Sequence, residues 1–214
     1  MKFDYTLYLV TDRRLMSTAT LQEAVEQAVS GGCTIVQLRE KDITSLAFFK
    51  LAKEIKRVTD RCHVPLIIND RIDIALSVKA AGVHLGQEDI PASSARKIIG
   101  KDMILGVSAS SVREAIRAQS DGADYLGVGS MFPTGTKTDA QLVSMEELRR
   151  IRQAVSIPIV AIGGIHKENA ASFRDTGVDG LAVVSAILSQ PDIKGAAEEL
   201  KLLFQKGERI ENGF

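Results

Sequence analysis

Short apolar segments alternate with amphipathic helical patterns along the whole chain, and polar residues gather where each apolar segment ends. The segments begin near Thr6, Thr34, Pro65, Gly82, Met103, Asp124, Ile157 and Gly180. Strands that alternate with helices form a parallel sheet with helices outside it. Eight strands within 214 residues predict an α/β fold, a single-domain (β/α)8 TIM barrel. An open doubly wound sheet is the alternative, but it usually has a glycine-rich turn after the first strand, and none follows Leu9 and Val10.

No linker composition interrupts the chain, so residues 1–214 are predicted to be one domain with a C-terminal tail at about residues 207–214. A helix is predicted from Ser45 to Arg61, with Thr44 as its cap. Its apolar residues at helical spacing are Leu46, Phe49, Ala52, Ile55 and Val58. Ser144 and Glu147 predict a capping box, in which each side chain binds the other residue's backbone amide.

Composition and charge exclude several classes of protein. Lysine plus arginine equals aspartate plus glutamate at 27 each, which gives no indication of nucleic-acid or anionic-membrane binding. No apolar run approaches the ~20 residues of a membrane helix, and no signal peptide is evident, so a cytoplasmic protein is expected. Cys33 and Cys62 lack metal-ligand spacing, and both are predicted to be buried structural thiols. Oligomeric state is left open.

A group of cations follows the second strand. Gln37, Arg39 and Lys41 alternate with Val36 and Leu38, so the amide, guanidinium and ammonium groups are predicted to share one side. Lys137, in a loop after the sixth strand, adds a third cation. Arginine suits bidentate phosphate recognition, and three cations suit a diphosphate better than a monophosphate. The alternative is that Arg39 and Lys41 form surface ion pairs with the adjacent Glu40 and Asp42.

Two carboxylates follow neighbouring strands. Asp70 comes after the third strand and Asp89 after the fourth, and such strands lie about 5 Å apart, so both carboxylates can reach one place on the rim. Two carboxylates with substrate phosphates suit Mg²⁺, which prefers oxygen ligands and retains several waters. Alternatively, Asp70 caps the following helix. Asn69 either orients a substrate or ends the strand.

A second anion site is predicted at the end of the chain. Gly163 and Gly164 follow the seventh strand, and Val184 and Ser185 follow the eighth. Loops at these positions of a barrel often bind phosphate through backbone amides at a short helix. The histidines are weak candidates for catalysis: His63 and His166 are expected at the surface or at helix ends, and His84 as a hydrogen-bonded interior residue.

Seven segments, in order and spanning nearly the whole chain, resemble the thiamine-phosphate synthase (thiamine-phosphate pyrophosphorylase) family. They are residues 8–12, 37–41, 68–71, 82–89, 132–137 with 139–140, 161–165 and 183–187. The resemblance implies a (β/α)8 barrel and a transferase of thiamine biosynthesis with a diphosphate leaving group. It would couple 4-amino-2-methyl-5-(diphosphooxymethyl)pyrimidine with thiazole ethyl phosphate to give thiamine phosphate and diphosphate. The implied mechanism is a magnesium-assisted dissociative alkyl transfer.

The resemblance also implies roles for individual residues. Those that hold the pyrimidine diphosphate would be Gln37, Arg39, Lys41, Asn69, Ser108 and Lys137. Among these, Arg39, Lys41, Ser108 and Lys137 would be catalytic. Asp70 and Asp89 would hold Mg²⁺. The thiazole phosphate would contact Thr134, Gly135, Thr136, Gly164, Val184 and Ser185. The expected partners are therefore two small molecules, with no nucleic acid and no membrane.

The chain departs from the family pattern in two places. After Ser108 the family often has a small residue and then His-Thr, whereas Ser110 and Ser111 stand here. Ser130 stands where proline is common. Two other functions remain open. A thiazole tautomerase of the same barrel family would favour a histidine in the Ser108 loop, and a non-catalytic regulator that senses a phosphorylated ligand would not need the metal and diphosphate groups.

Overall fold

The computed structural model describes residues 3–135 and 141–205, which contain a closed barrel of eight parallel strands. The strands are β1 (Leu7–Val10), β2 (Ile35–Leu38), β3 (Leu66–Asn69), β4 (Gly82–Leu85), β5 (Ile104–Ala109), β6 (Tyr125–Val128), β7 (Ile159–Ile162) and β8 (Gly180–Val183). Each strand pairs with the next, and β8 closes onto β1 with Leu9 opposite Val183. The predicted barrel is confirmed, each strand begins within two residues of its predicted start, and the open sheet is wrong.

Helices cover the outside of the barrel. They are α1 (Leu21–Ser30), α2 (Ser45–Arg61), α3 (Ile72–Val78), α4 (Ala92–Ile99), α5 (Val112–Ser120), α6 (Met145–Ala154), α7 (Ser185–Leu188) and α8 (Ile193–Gln205). A 3-10 segment (Ala170–Thr176) replaces an α-helix between β7 and β8. No helix in the described ranges is long and apolar enough to cross a membrane. The tail predicted at about residues 207–214 lies outside the described residues.

The strand period divides the apolar residues into two clusters. In β2, Ile35 packs inside the barrel, and the buried Gln37 reaches the hydroxyl of Tyr8 there. Val36 and Leu38 belong to the larger cluster between the strands and the helices. The prediction that Gln37 lies on the opposite face of β2 from Val36 and Leu38 is therefore confirmed. Alternate residues of each strand face the barrel interior, so the last inward-facing residue of a strand lies at the barrel mouth. The alignment of neighbouring strands then determines which of these polar side chains lie close enough to form a site.

The predicted helix from Ser45 to Arg61 is confirmed, and Thr44 Oγ1 accepts a hydrogen bond from Ala47 N. Its predicted buried face is partly wrong. Leu46 is 64% exposed and Phe49 is half-buried, whereas Phe48 is 2% exposed. The buried residues of α2 are Phe48, Ala52, Ile55, Val58 and Thr59. Apolar residues stand at both 46 and 48–49, so spacing alone leaves the orientation of the first turn undetermined.

Two further local predictions are partly wrong. Ser144 Oγ accepts from Glu147 N at 3.1 Å, as a capping box requires. The carboxylate of Glu147, however, accepts from Val112 N at 3.0 Å and so caps the neighbouring α5. Cys33 is buried as predicted, but Cys62 is exposed at the end of α2. Both errors arise because the burial of Cys62 and the partner of Glu147 depend on how the helices pack, which local sequence does not specify.

Phe48→Ala should lower the free energy of unfolding by about 3–5 kcal/mol, because it leaves a cavity beneath α2. Leu46→Ala, in the same turn, should change it by no more than about 0.5 kcal/mol, because Leu46 is exposed. Urea unfolding followed by circular dichroism measures both variants. Similar losses for the two would contradict an α2 that turns Phe48 toward the strands and Leu46 toward solvent.

Candidate active site

The candidate active site lies on the rim where β2, β3, β4 and β5 end. Arg39 and Lys41 follow β2, Asp70 follows β3, Asp89 follows β4, and Ser108 lies near the end of β5. Parallel strands deliver their carboxyl ends to the same edge, about 5 Å apart. Side chains predicted from four separate segments of sequence are therefore gathered on one side of the barrel mouth.

The carboxyl groups of Asp70 and Asp89 are neighbours. Asp89 Oδ2 accepts from Gly86 N at 2.7 Å. Burial raises the pKa of Asp89, the Gly86 amide lowers it, and the nearby Asp70 carboxyl raises it again. Asp70 itself has φ of 61°, a left-handed conformation that aspartate tolerates better than most residues. A carboxylate whose ionisation is disfavoured by a neighbouring carboxylate favours a cation beside the pair.

Asp70 is not a helix cap. The residue that precedes the first turn of α3 is Arg71, and no side chain caps that helix. The carboxylate of Asp70 pairs instead with Lys41 Nζ. Its backbone amide donates to the carbonyl oxygen of His84 at 2.8 Å, which fixes the residue against β4. The capping alternative is therefore wrong, and the Asp70 side chain is turned toward Lys41.

The two carboxylates fit magnesium by their chemistry. Mg²⁺ is usually bound by one or two carboxylates together with substrate phosphates and several waters, rather than by an all-protein cage. Within residues 3–135 and 141–205, no group of three or more His, Cys, Asp or Glu side chains could hold a metal ion. Asp70 and Asp89 therefore suit a cation whose other ligands come from water and a phosphorylated substrate.

The rim cations do not pair with their neighbours in sequence. Glu40 binds Arg13 through two hydrogen bonds of 2.7 Å, and Lys41 binds Asp70. The predicted alternative, ion pairs with Glu40 and Asp42, is wrong. Arg39 N donates to Thr11 Oγ1 at 3.1 Å, while the Arg39 guanidinium has no hydrogen bond or ion pair with any described residue. The donors of that guanidinium are therefore available to an anion, although its charge also acts on the carboxylate of Asp12.

A chain of buried polar side chains runs through the barrel beneath the rim. Gln37 Nε2 donates to Tyr8 OH at 2.9 Å, and Tyr8 OH lies 2.7 Å from Tyr125 OH. His84 Nδ1 is 2.9 Å from Tyr125 OH, and its Nε2 is 3.0 Å from Ser108 Oγ. His84 is a hydrogen-bonded interior residue, as predicted. Sequence analysis missed both tyrosines, although strand alternation in β1 and β6 could have placed them inside.

Asn69 lies at the end of β3 and is 7% exposed. Its Nδ2 is buried and has no hydrogen-bond partner among the described residues. A buried donor without a partner costs free energy, so native proteins rarely keep one without a use. This observation favours a substrate-orienting role for Asn69 over a role in ending the strand.

The predicted second anion site lies across the barrel mouth. Val184 directly precedes the four-residue helix α7, which confirms the short helix expected after β8. Gly164 has φ of 62°, and a Cβ there would lie 2.7 Å from both Phe132 Cβ and Pro133 O. Gly164 is therefore needed first for packing against the loop after β6. A bulky replacement would disturb that loop as well as any ligand.

The remaining predicted residues of this second site belong to the loop after β6. Thr134 is half-buried and Gly135 is exposed, and among the described residues a Cβ on Gly135 would meet no other atom within 4 Å. Thr136 and Lys137 lie outside the described residues, so their predicted roles stay predictions. Elsewhere, His63 and His166 are exposed, as expected.

Ser110, which stands where the family often has histidine, has a local partner. Its N and Oγ donate to Glu114 Oε2 at 2.7 and 2.9 Å. Glu114 lies in the first turn of α5, so the hydroxyl ties the end of β5 to the following helix. In this chain, position 110 fixes the loop and supplies no acid or base at the rim.

The fold and the rim define a (β/α)8 barrel protein with its polar groups at the carboxyl ends of the strands. A family model described as "Thiamine monophosphate synthase" matches residues 7–187. The thiamine-phosphate synthase of Clostridium beijerinckii is 62% identical over 205 residues, which cover 96% of this chain and 98% of that protein. That of Ruminiclostridium cellulolyticum is 63% identical over 203 residues, which cover 95% and 97%.

A solved structure supports the same relationship. The thiamine phosphate pyrophosphorylase from Pyrococcus furiosus has a TM-score of 0.88 and 41% sequence identity to this chain. The match covers 95% of this chain and 96% of that one. The chain therefore belongs to the thiamine monophosphate synthase family, and the family resemblance found in the sequence is confirmed.

Asp89→Asn should change how stability depends on pH in buffer without divalent metal. The folded state raises the pKa of Asp89 above its usual value near 3.8, so folded protein binds this proton more tightly than unfolded protein. The contribution of Asp89 to wild-type stability therefore falls as pH rises through the range above that value. The asparagine variant lacks this loss, so the difference between its free energy of unfolding and that of the wild type should shift in favour of the variant as the pH rises above 3.8.

Urea unfolding at a series of pH values, with EDTA present, measures this difference. Asp102→Asn is the control, because Asp102 is exposed in the turn before β5. The difference between Asp102→Asn and wild type should stay constant with pH. A constant difference for Asp89→Asn as well would contradict the raised pKa.

Proposed function

We propose that this chain is a thiamine-phosphate synthase. It joins 4-amino-2-methyl-5-(diphosphooxymethyl)pyrimidine to thiazole ethyl phosphate and releases diphosphate. The family supports this proposal, and the single observation that carries it is the pair of neighbouring carboxylates, Asp70 and Asp89, with the Lys41 ammonium beside them. A chain that only bound a monophosphate would not need this combination.

In this proposal the rim holds the pyrimidine diphosphate. Arg39 and Lys41 contact its phosphate oxygens with Lys137, and Ser108 donates a hydrogen bond on the same side. Gln37 and Asn69 orient the pyrimidine ring, which gives the unpartnered Asn69 Nδ2 an acceptor. Asp70 and Asp89 would hold Mg²⁺, which neutralises negative charge on the departing diphosphate.

The thiazole phosphate occupies the opposite side of the mouth. The residues proposed to contact it are Thr134, Gly135, Thr136, Gly164, Val184 and Ser185. The first backbone amides of α7 lack partners within that helix and can donate to phosphate oxygens. The separation of the two anion sites leaves the reacting carbon and the thiazole nitrogen facing each other across the barrel mouth.

We further propose that the carbon–oxygen bond to the diphosphate breaks before the carbon–nitrogen bond forms. Two features support this order: Arg39 and Lys41 follow β2 at the rim proposed to hold the leaving group, and both ring nitrogens of His84 have interior partners, so neither is available as a general base. The residues of the chain then act by positioning and by compensating charge. The tautomerase alternative is not favoured, because Ser110 stands where that alternative would favour a histidine. A regulator would not need this leaving-group chemistry.

The proposed substrates are small molecules, and the proposed location is the cytoplasm, which cell fractionation can test. Neither nucleic acid nor a membrane is a proposed partner. The coupling reaction itself is tested directly by mixing the protein, both substrates and Mg²⁺ and measuring thiamine phosphate. Failure to form it under these conditions would refute the proposed function.

Asp70→Asn and Asp89→Asn should each fold normally and lose at least about 100-fold in coupling rate, the scale found when one electrostatic stabiliser is removed. Asp73→Asn is the matched control, because Asp73 binds Arg71 on the outer helix α3 and should retain activity. Initial rates of thiamine phosphate formation measure the effect. Near-normal rates for both rim variants would refute the metal assignment.

Replacing the pyrimidine methyl group with trifluoromethyl should slow the chemical step by several orders of magnitude while the analogue still binds. An electron-withdrawing group destabilises a developing cation, and about 1.4 kcal/mol changes a rate tenfold. Rapid-quench single turnover measures chemistry without product release. A rate within a few-fold of the natural substrate's would indicate direct displacement by the thiazole nitrogen.

A further inference from the structure

The hydrogen-bond chain beneath the rim begins at an amide nitrogen, which can only donate. Gln37 Nε2 donates to the hydroxyl oxygen of Tyr8 at 2.9 Å. A hydroxyl has a single hydrogen. The next group along the chain is the hydroxyl of Tyr125, 2.7 Å away. Because the buried Tyr8 hydrogen needs an acceptor and Gln37 Nε2 cannot accept, this hydrogen points to Tyr125, the other partner among the described residues.

The same logic determines the state of His84. The Tyr125 oxygen accepts from Tyr8, so its own hydrogen is donated to His84 Nδ1 at 2.9 Å. A neutral imidazole has one donor and one acceptor nitrogen. With Nδ1 accepting, the hydrogen is on Nε2, which donates to Ser108 Oγ at 3.0 Å. The hydrogen of Ser108 is then left to point out of the barrel.

The phenols keep the hydrogens that this direction requires. Burial raises the pKa of Tyr8, and it raises that of Tyr125 as well. Both hydroxyls therefore keep their hydrogens at neutral pH. Each can accept one hydrogen bond and donate another, which is the condition for a chain with a single direction.

The barrel interior makes room for this chain at two glycines. A Cβ on Gly106 would lie 2.2 Å from Tyr125 Cζ, and a Cβ on Gly127 would lie 3.0 Å from His84 Cε1. A larger residue at either position would displace one of the two rings. The absence of side chains on β5 and β6 at these positions therefore holds both rings in hydrogen-bonding positions.

We propose that this chain fixes the Nε2–H tautomer of His84 and thereby holds the Ser108 hydroxyl as a hydrogen-bond donor to the substrate's diphosphate. Tyr125 and His84 are positioning residues that act through Ser108. The proposal rests on the proposed function, in which Ser108 contacts the diphosphate. If the direction were reversed, Ser108 would donate inward to His84 and could only accept at the rim.

Nitrogen-15 NMR of histidine-labelled protein tests the direction without any substrate. His84 should show a protonated Nε2 and an unprotonated Nδ1 in long-range ¹H–¹⁵N correlations. The chain has three histidines, and His63→Gln and His166→Gln assign the other two signals, because both residues are exposed. An Nδ1–H tautomer in the wild type would overturn the proposal.

Tyr125→Phe removes the donor to Nδ1 and should give a mixture of tautomers. Tyr5→Phe is the matched control. The centroids of the Tyr5 and Tyr125 rings are 5.1 Å apart, and the Tyr5 hydroxyl makes no hydrogen bond with any described residue. The control should keep the wild-type tautomer and its coupling rate. A single Nε2–H tautomer in Tyr125→Phe would show that the chain does not set it and would also overturn the proposal.

Activity measurements test whether Tyr125 acts through Ser108. Tyr125→Phe should lower kcat about tenfold and change the KM for the pyrimidine diphosphate less than about twofold, on the scale of one lost orienting hydrogen bond. In a Ser108→Ala background the same change should cost nothing further, because the hydroxyl is gone. Independent, multiplicative losses would overturn the positioning role. If wild-type protein makes no thiamine phosphate, the proposed function fails, while the NMR result still decides the direction of the chain.

Discussion

Side chains inside a closed eight-strand barrel share one small volume, because alternate residues of every strand must point into it. Apolar side chains fill most of that volume here, but Tyr8, Gln37, His84 and Tyr125 are inside as well. Buried polar groups need partners, and these four satisfy one another in sequence. This chain of hydrogen bonds ends at Ser108 on the rim. The interior of the barrel and the candidate site are therefore connected by hydrogen bonds.

Parallel strands explain why opposite charges accumulate at the same edge. The Lys41 ammonium balances one of the two neighbouring carboxylates, Asp70, while burial and the proximity of Asp70 disfavour ionisation of Asp89. A divalent cation at these carboxylates would either share the Asp70 carboxylate with Lys41 or displace the Lys41 ammonium from it. Release of Lys41 would free its charge for the diphosphate, so metal and substrate binding are expected to reinforce each other.

The sequence predicts those features that depend on the strand period and on strand ends. The eight strands, the inward position of Gln37 and the gathering of Asp70 and Asp89 at one rim all follow from alternation and parallel order. Partners across the fold do not follow from it. Lys41 pairs with a residue 29 positions away in preference to its neighbours, and Glu147 caps a different helix. Such partners depend on how elements pack, which local spacing does not encode.

His84 joins the two halves of the candidate site through different parts of the same residue. Its backbone carbonyl accepts from Asp70 N, and its side chain contacts Ser108. A shift of β4 at this point would therefore move a proposed metal ligand and a proposed diphosphate donor together. Changes to interior partners such as Tyr125 should couple to changes at the rim, although Tyr125 is fully buried below it. The effects of substitutions within this connected set on the free energy of unfolding should therefore not be additive, since additivity holds only for sites without shared partners.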